Sequence, residues 1–345
     1  MFLNPLFYFF KPLIPRSIQI VLRRQIGLWK LRKYSHIWPI DPNAGGPPDD
    51  WSGWPDQKRF ALVLTHDVDT AKGHKKCREL MDLEKSIGVR SSFNFVPERY
   101  SVSSKLRKYL TENGFEVAVH GLNHDGKLFW SRKIFSERAI RINHYLEAWN
   151  AVGFNSPSMH CNLDWMHDLT IEYDQSTFDT DPFEPQPDGV GTIFPFLVQG
   201  NPTQKGYVEL SYTLPQDFTL FVIMKQKSIK VWKEKLDWIA EKGGMVLLNT
   251  HPDYMDFNSK GLRVDEYPTK YYLEFLEYVK SKYKGQYWHV LPKEMARFWT
   301  SNMGKQDLQD SLSSAFPEVG QRRMSPKFIL RRWQRMPCYL RLSGL

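Results

Sequence analysis

A chain of 345 residues can bury one large core, and no repeat of 20 to 50 residues interrupts it, which excludes solenoids and propellers. Three widely spaced cysteines, Cys77, Cys161 and Cys338, form no CxxC pair and no disulfide framework, so a reducing, cytoplasmic setting is expected. Of the net charge of +9, residues 1–34 supply +7 with no acid and residues 321–345 another +7 with no acid, leaving −5 for the body between them.

The first 40 residues read as a basic, apolar N-terminal arm. Lys11 and three prolines break its apolar run, so it suits neither a spanning helix nor a signal peptide. Apolar residues mixed with cations fit a segment lying on an anionic membrane surface, at the inner face of the membrane if the protein is cytoplasmic. An arm packed on its own domain, its cations in solvent, fits equally well. Nucleic-acid binding ranks below both, because no recognised module accompanies the charge.

Residues 41–305 read as the catalytic body, and 306–345 as a basic C-terminal extension. The turn-rich stretch 41–56 leads into a first strand, Phe60-Ala61-Leu62-Val63-Leu64, ending at Thr65. A polar helix over about 74–87 follows, then a strand at 90–97 and a helix at 103–112. A third strand, Phe115-Glu116-Val117-Ala118-Val119, precedes His120, and a long helix covers about 134–151. The middle, 153 to about 227, is irregular, with one expected strand at 207–212. Ile229, Trp232, Leu236 and Ile239 then recur at helical spacing over 228–242, before a strand, Met245-Val246-Leu247-Leu248. A helix at 267–282, a strand at 287–291 and a helix to about 300 complete the body. Alternating strand and helix predict an α/β fold with parallel strands.

Three of these strands end in polar motifs: Thr65-His66-Asp67-Val68-Asp69, His120-Gly121-Leu122-Asn123-His124 and Asn249-Thr250-His251-Pro252-Asp253. In a barrel of parallel strands such groups converge on one face. Two carboxylates and three imidazoles there are the ingredients of a metal-assisted hydrolase. On a helical turn the His-x3-His spacing would bring His120 and His124 to one face, where they can share a metal. Cys161 is expected to be a small buried filler. Trp165 is expected in core packing before sugar stacking.

The ordered set, over roughly residues 57–298, resembles the polysaccharide deacetylases, the NodB-homology family of carbohydrate esterase family 4 type. That resemblance implies a deformed (β/α) barrel, here with basic extensions at both ends. It implies one divalent metal ion, zinc by default, on His120, His124 and an aspartate. It implies a base that activates a water, and a late histidine, His251, that protonates the departing amine of an N-acetylated sugar. Asp67 is assigned as base and Asp69 as ligand, with the reverse left open, because the family form has adjacent aspartates and here Val68 separates them. His66 stands where the family has phenylalanine and is expected to orient its neighbours. Asn155 stands where the family has an arginine that holds the catalytic aspartate. A carboxamide cannot supply that cation, so Asp67 is expected to be looser and harder to ionise, unless His160 compensates. Asp174 is the chosen partner for His251; Asp253 either orients His251 or starts a turn. The implied function is metal-dependent N-deacetylation of a glycan. The alternatives are another non-peptide C–N hydrolase on the same fold and a catalytically impaired glycan-binding protein.

Overall fold

The structure is a computed structural model, and it describes residues 15–49, 51–186, 189–201, 204–258 and 262–302. All of these but Asn302 fall in one compact unit ending at Ser301. The expected C-terminal extension, and the first fourteen residues of the expected arm, lie outside the described residues.

Among the described residues, nine strands form one sheet that curls around a packed interior. Strand β1 (Phe60–Val68) is its centre and is buried along its whole length. Such burial on both faces is what a continuous apolar strand in a parallel sheet achieves. Parallel partners follow in order: β2 (Ser92–Phe95), β3 (Glu116–His120), β4 (Gly153–Asn155), β5 (Tyr173–Asp174) and β7 (Tyr207–Glu209). β6 (Phe196–Val198) adds an antiparallel edge to β7. β8 (Met245–Thr250) and β11 (Tyr287–His289) pair with β1 on opposite edges, since Ala61 faces both Met245 and Trp288. Irregular chain then joins the two ends of the curl: Thr213 and Leu214 donate backbone N–H to the Leu247 carbonyl at 3.1 Å each. The irregular middle of the sequence therefore closes the barrel without forming a long strand.

Helices cover the outside. α1 (Arg16–Lys33) precedes the barrel; α2 (Ala71–Ser86), α3 (Ser104–Glu112), α4 (Arg132–Trp149), α5 (Lys230–Lys242) and α6 (Lys270–Lys282) cross between strands. Their ends follow local chemistry. Thr70, Ser103 and Ser131 accept hydrogen bonds from the first free N–H groups of α2, α3 and α4, caps worth about 1 kcal/mol each. α5 stops where Gly243 turns left-handed at φ 75°, which lets β8 begin at once. The helix expected from 267 begins at Lys270, because Tyr267 and Pro268 form a short parallel bridge, β10, with β9 (Met255–Asp256).

The lead-in at 41–56 packs on aromatic core. Trp51 and Trp54 pack on each other at 4.6 Å and on Phe194, Trp299 and Phe298, and the Trp54 indole donates to the Gly243 carbonyl at 2.7 Å. Trp165 is half-buried against Phe129 and Phe135, as core packing predicts. Cys161 is half-buried beside the same cluster. α1 lays one face on the body: Arg24 donates to the Ile223 and Val222 carbonyls and Lys30 to the Pro182 carbonyl. No described helix is long and apolar enough to cross a membrane.

Candidate active site

The polar ends of β1, β2, β3, β4 and β8 meet. Asp67 and Asp69 are two apart on extended chain, so both carboxylates face the same way while Val68, fully buried, faces the other. The spacer residue thus keeps the two acids side by side rather than splitting them.

His120 ends β3, and His124 reaches back to it through a bend, not a helical turn. Gly121 takes φ 61° and His124 φ 54°. A Cβ on Gly121 would stand 2.5 Å from the Pro157 ring, so this bend requires glycine. The two imidazole rings lie 5.2 Å apart. Nε2 of His124 is 3.0 Å from Asp69 Oδ1, and Nε2 of His120 is 3.4 Å from the same atom. Ligand atoms of the three residues all lie within 4.8 Å of one another.

This donor set fits a divalent cation. Nδ1 of His120 lies 3.1 Å from the Asn155 carbonyl, which can only accept, so that nitrogen carries the proton and Nε2 is left as a ligand. Asp69 Oδ1 is buried yet accepts no hydrogen bond of good geometry, as an atom kept for a cation would be. Burial opposes ionisation of Asp69, but His124, His120 and His251 outweigh it and hold the carboxyl well below its usual range. Burial alone would lower His120; facing Asp67 and Asp69, it is instead held above its ordinary value. His124 is pushed down, chiefly by burial. Two buried carboxylates beside two imidazoles attract positive charge.

Asp67 is not loose. Asn94 donates to its Oδ1 at 2.8 Å, Asn249 to its Oδ2 at 2.7 Å, and Asn155 to both oxygens at 3.3 Å. Three neutral carboxamides from β2, β8 and β4 fix the carboxylate where one cation was expected. The expectation of a loose Asp67 is therefore corrected. Asn94 lies inside β2 and Asn249 near the end of β8, and the sequence alone assigned neither a role. The register supplies the missing signal: Asp67 pairs with Asn94, and Thr65 with Asn249. Asn249→Ala should lower kcat by up to about a hundredfold with metal content unchanged, since hydrogen bonds to charged groups contribute ~1.5–3 kcal/mol. Steady-state kinetics beside metal analysis checks this.

His251 finds a different partner from the one expected. Its Nδ1 lies 2.7 Å from Asp217 Oδ1, and its backbone N–H donates to Asp217 Oδ2 at 2.8 Å. Tyr267 donates its hydroxyl to the same Oδ2 at 2.9 Å. Burial would lower His251, but Asp217, helped by Asp69 and Asp67, lifts it to about 10. Asp217 sits just before a π-helical turn, Phe218–Ile223, in the irregular middle, where no periodicity marked it. Tyr254 completes this wall, its ring 5.3 Å from that of His251 and its hydroxyl donating to Asp69 Oδ2 at 3.3 Å.

The remaining expected site residues stand around the site rather than in its chemistry. Asp174 accepts from the Ser176 hydroxyl and N–H, and that hydroxyl in turn accepts from Ser156 N–H, next to Asn155. Burial pushes Asp174 up to about 6. It braces the Asn155 loop and does not pair with His251. Asp253 accepts from Asp69 N–H at 2.9 Å, from Gly73 N–H at 3.2 Å and from the Thr70 hydroxyl. It ties down the backbone of Asp69, and a Cβ on Gly73 would strike its carboxylate at 2.1 Å. His66 points to the opposite face of β1, between Glu84 at 2.9 Å and Thr250 at 2.7 Å. Its role is to fasten β1 to α2 and β8, not to orient Asp67. His160 lines a small recess with His124, Ser156 and Pro157, and burial lowers it to about 4.

No protein-family model matches the sequence, and no curated protein matches it. Solved structures do match. One, assigned as a polysaccharide deacetylase from Mycobacterium smegmatis, superposes with a TM-score of 0.57 at 17% identity, over 81% of this chain and 99% of that one. The PuuE allantoinase gives 0.58 at 15% identity, over 76% and 98%. A further protein assigned as a polysaccharide deacetylase, from Pseudomonas aeruginosa PAO1, gives 0.53 at 15%, over 79% and 97%. At these identities the likeness is one of fold: the chain has the NodB-type deformed (β/α) barrel of the polysaccharide deacetylases.

Proposed function

We propose that this protein is a metal-dependent hydrolase that removes the N-acetyl group from a sugar of a glycan or glycan precursor. The observation that carries the reading is the convergence at one end of β1, β3 and β8 of a caged carboxylate, an Asp-His-His cluster and a carboxylate-backed imidazole. Asp69, His120 and His124 would hold the divalent ion, zinc by the nature of the ligands. When bound it would polarise the amide carbonyl and acidify a water. Asp67 takes the proton of the attacking water, and its three amide donors hold the carboxylate in place. His251, charged and held by Asp217, gives a proton to the departing nitrogen as the C–N bond breaks, releasing acetate and an amine. Free Cys77 and Cys161 suit a reducing compartment, and a cytoplasmic setting belongs to this proposal.

A second reading, hydrolysis of another non-peptide C–N bond, draws support from the allantoinase of the same fold. The impaired-binder reading relied on Asn155, which here bonds to Asp67. A panel of N-acetylated sugars and cyclic amides, loaded with zinc, separates the three. Acetate release from a sugar supports the proposal. Ring opening without acetate favours the second reading, and tight sugar binding with neither product would overturn both.

A further inference from the structure

The α1 helix has two faces, and only one is used by the barrel. Ile20 and Gly27 are buried against the body, beside the anchoring Arg24 and Lys30. The outer face exposes Ile18, Val21, Leu22, Ile26, Leu28 and Trp29, each at least 42% accessible and Trp29 at 59%. Six of the ten large apolar side chains exposed among the described residues thus lie on this one helix. Ile18, Leu22 and Trp29 fall on one stripe at 3.6-residue spacing, with Arg32 and Lys33 at its end and the Lys33 ammonium 5.2 Å from the Trp29 ring. The helix contains no acid, nor does any residue from 1 to 34.

We infer that α1 docks this protein on an anionic lipid bilayer, its outer stripe entering the headgroup boundary. An apolar stripe alone would suit a second copy or a protein partner equally. Cations without a single acid, flanking leucine, isoleucine and tryptophan, match the negative leaflet in particular, where each contributes about fivefold to binding. The inner face gives the docking a consequence. Arg23 lies over the Phe218 ring at 5.5 Å, Phe218 packs on Tyr254 at 4.7 Å, and Tyr254 touches Asp69 and His251. A helix seated on lipid therefore stands two aromatic rings from the candidate metal ligands, which suits a lipid-linked sugar; this last step rests on the proposed deacetylase reading, the docking itself does not.

Cosedimentation of the full chain with vesicles tests the docking without any turnover. Phosphatidylcholine vesicles containing phosphatidylglycerol should bind it, and vesicles of phosphatidylcholine alone should bind it far less. Leu22→Glu with Trp29→Glu should weaken binding at least tenfold, and Arg32→Gln with Lys33→Gln by about twenty-five-fold at low salt. All four side chains lie on the outer face, and unchanged melting curves would confirm that the variants fold. Failure of the wild type to bind anionic vesicles, or equal binding by the first variant, would overturn the inference. So would a concentration-dependent dimer that the same variant disperses, which would assign the stripe to a second copy.

Discussion

Asp67→Asn should lower kcat by roughly 10²–10⁴-fold, the usual contribution of a general base, while the protein still binds one metal ion. Asp69, not Asp67, shares close contacts with both imidazoles of the metal cluster, so the ligand set survives the change. Asp67 instead faces Asn94 on one oxygen and Asn249 on the other, and the side-chain oxygens of these two already accept from Ser92 and Thr65. An asparagine at 67 would turn its NH2 toward one of those donors and leave it unpaired, which costs about 1–3 kcal/mol. A lower Tm should therefore accompany the lost rate. Asp69→Asn is the contrasting variant, expected to lose the metal itself. Metal analysis and kinetics on the two variants decide the assignment. Metal lost from the Asp67 variant and kept by the Asp69 variant would reverse the two roles.

The second large effect concerns His251. Its alanine variant should lose roughly 10²–10⁴ in rate if it supplies the proton to the leaving nitrogen. Asp217→Asn is the more discriminating change. An acid works only while protonated, so activity should fall as pH rises through the His251 pKa. Burial lowers that pKa, and Asp217 is the chief group that raises it to about 10. Removing the carboxylate must move it down, so the alkaline limb of kcat/KM should shift to lower pH. A profile measured for wild type and variant reads this directly. A limb that stays in place while the rate falls would leave Asp217 a structural role only.

The sequence disclosed the ends of the strands better than their insides. Apolar runs of five or so residues bounded by Asp or His marked β1, β3 and β8, and with them Asp67, Asp69, His120, His124 and His251. The roles of Asn94 and of Asn249, the latter already within a strand-end motif, were hidden because an asparagine carries no local signal of its partner on a neighbouring strand. Only register shows that Asn94 stands opposite Asp67 and that Asn249 reaches it from across β1. Asp217 was hidden for another reason: its stretch has neither helical nor strand period, and it caps a π-helical turn. His66 misled because it neighbours Asp67 in sequence, yet alternation along the strand sends it to the other face. The motif arithmetic for His120 and His124 reached the right neighbourhood through the wrong backbone, a glycine-dependent bend in place of a helical turn.

Metal-dependent release of acetate is the most direct test of the proposed chemistry. Protein stripped with a chelator should release none from an N-acetylated sugar, and activity should rise in proportion to added zinc until one ion per chain, then stop. His120→Ala should show neither the tight ion nor the turnover. Acetate release that survives complete chelation would contradict the account, as would one ion bound per chain with no acetate from any sugar tested.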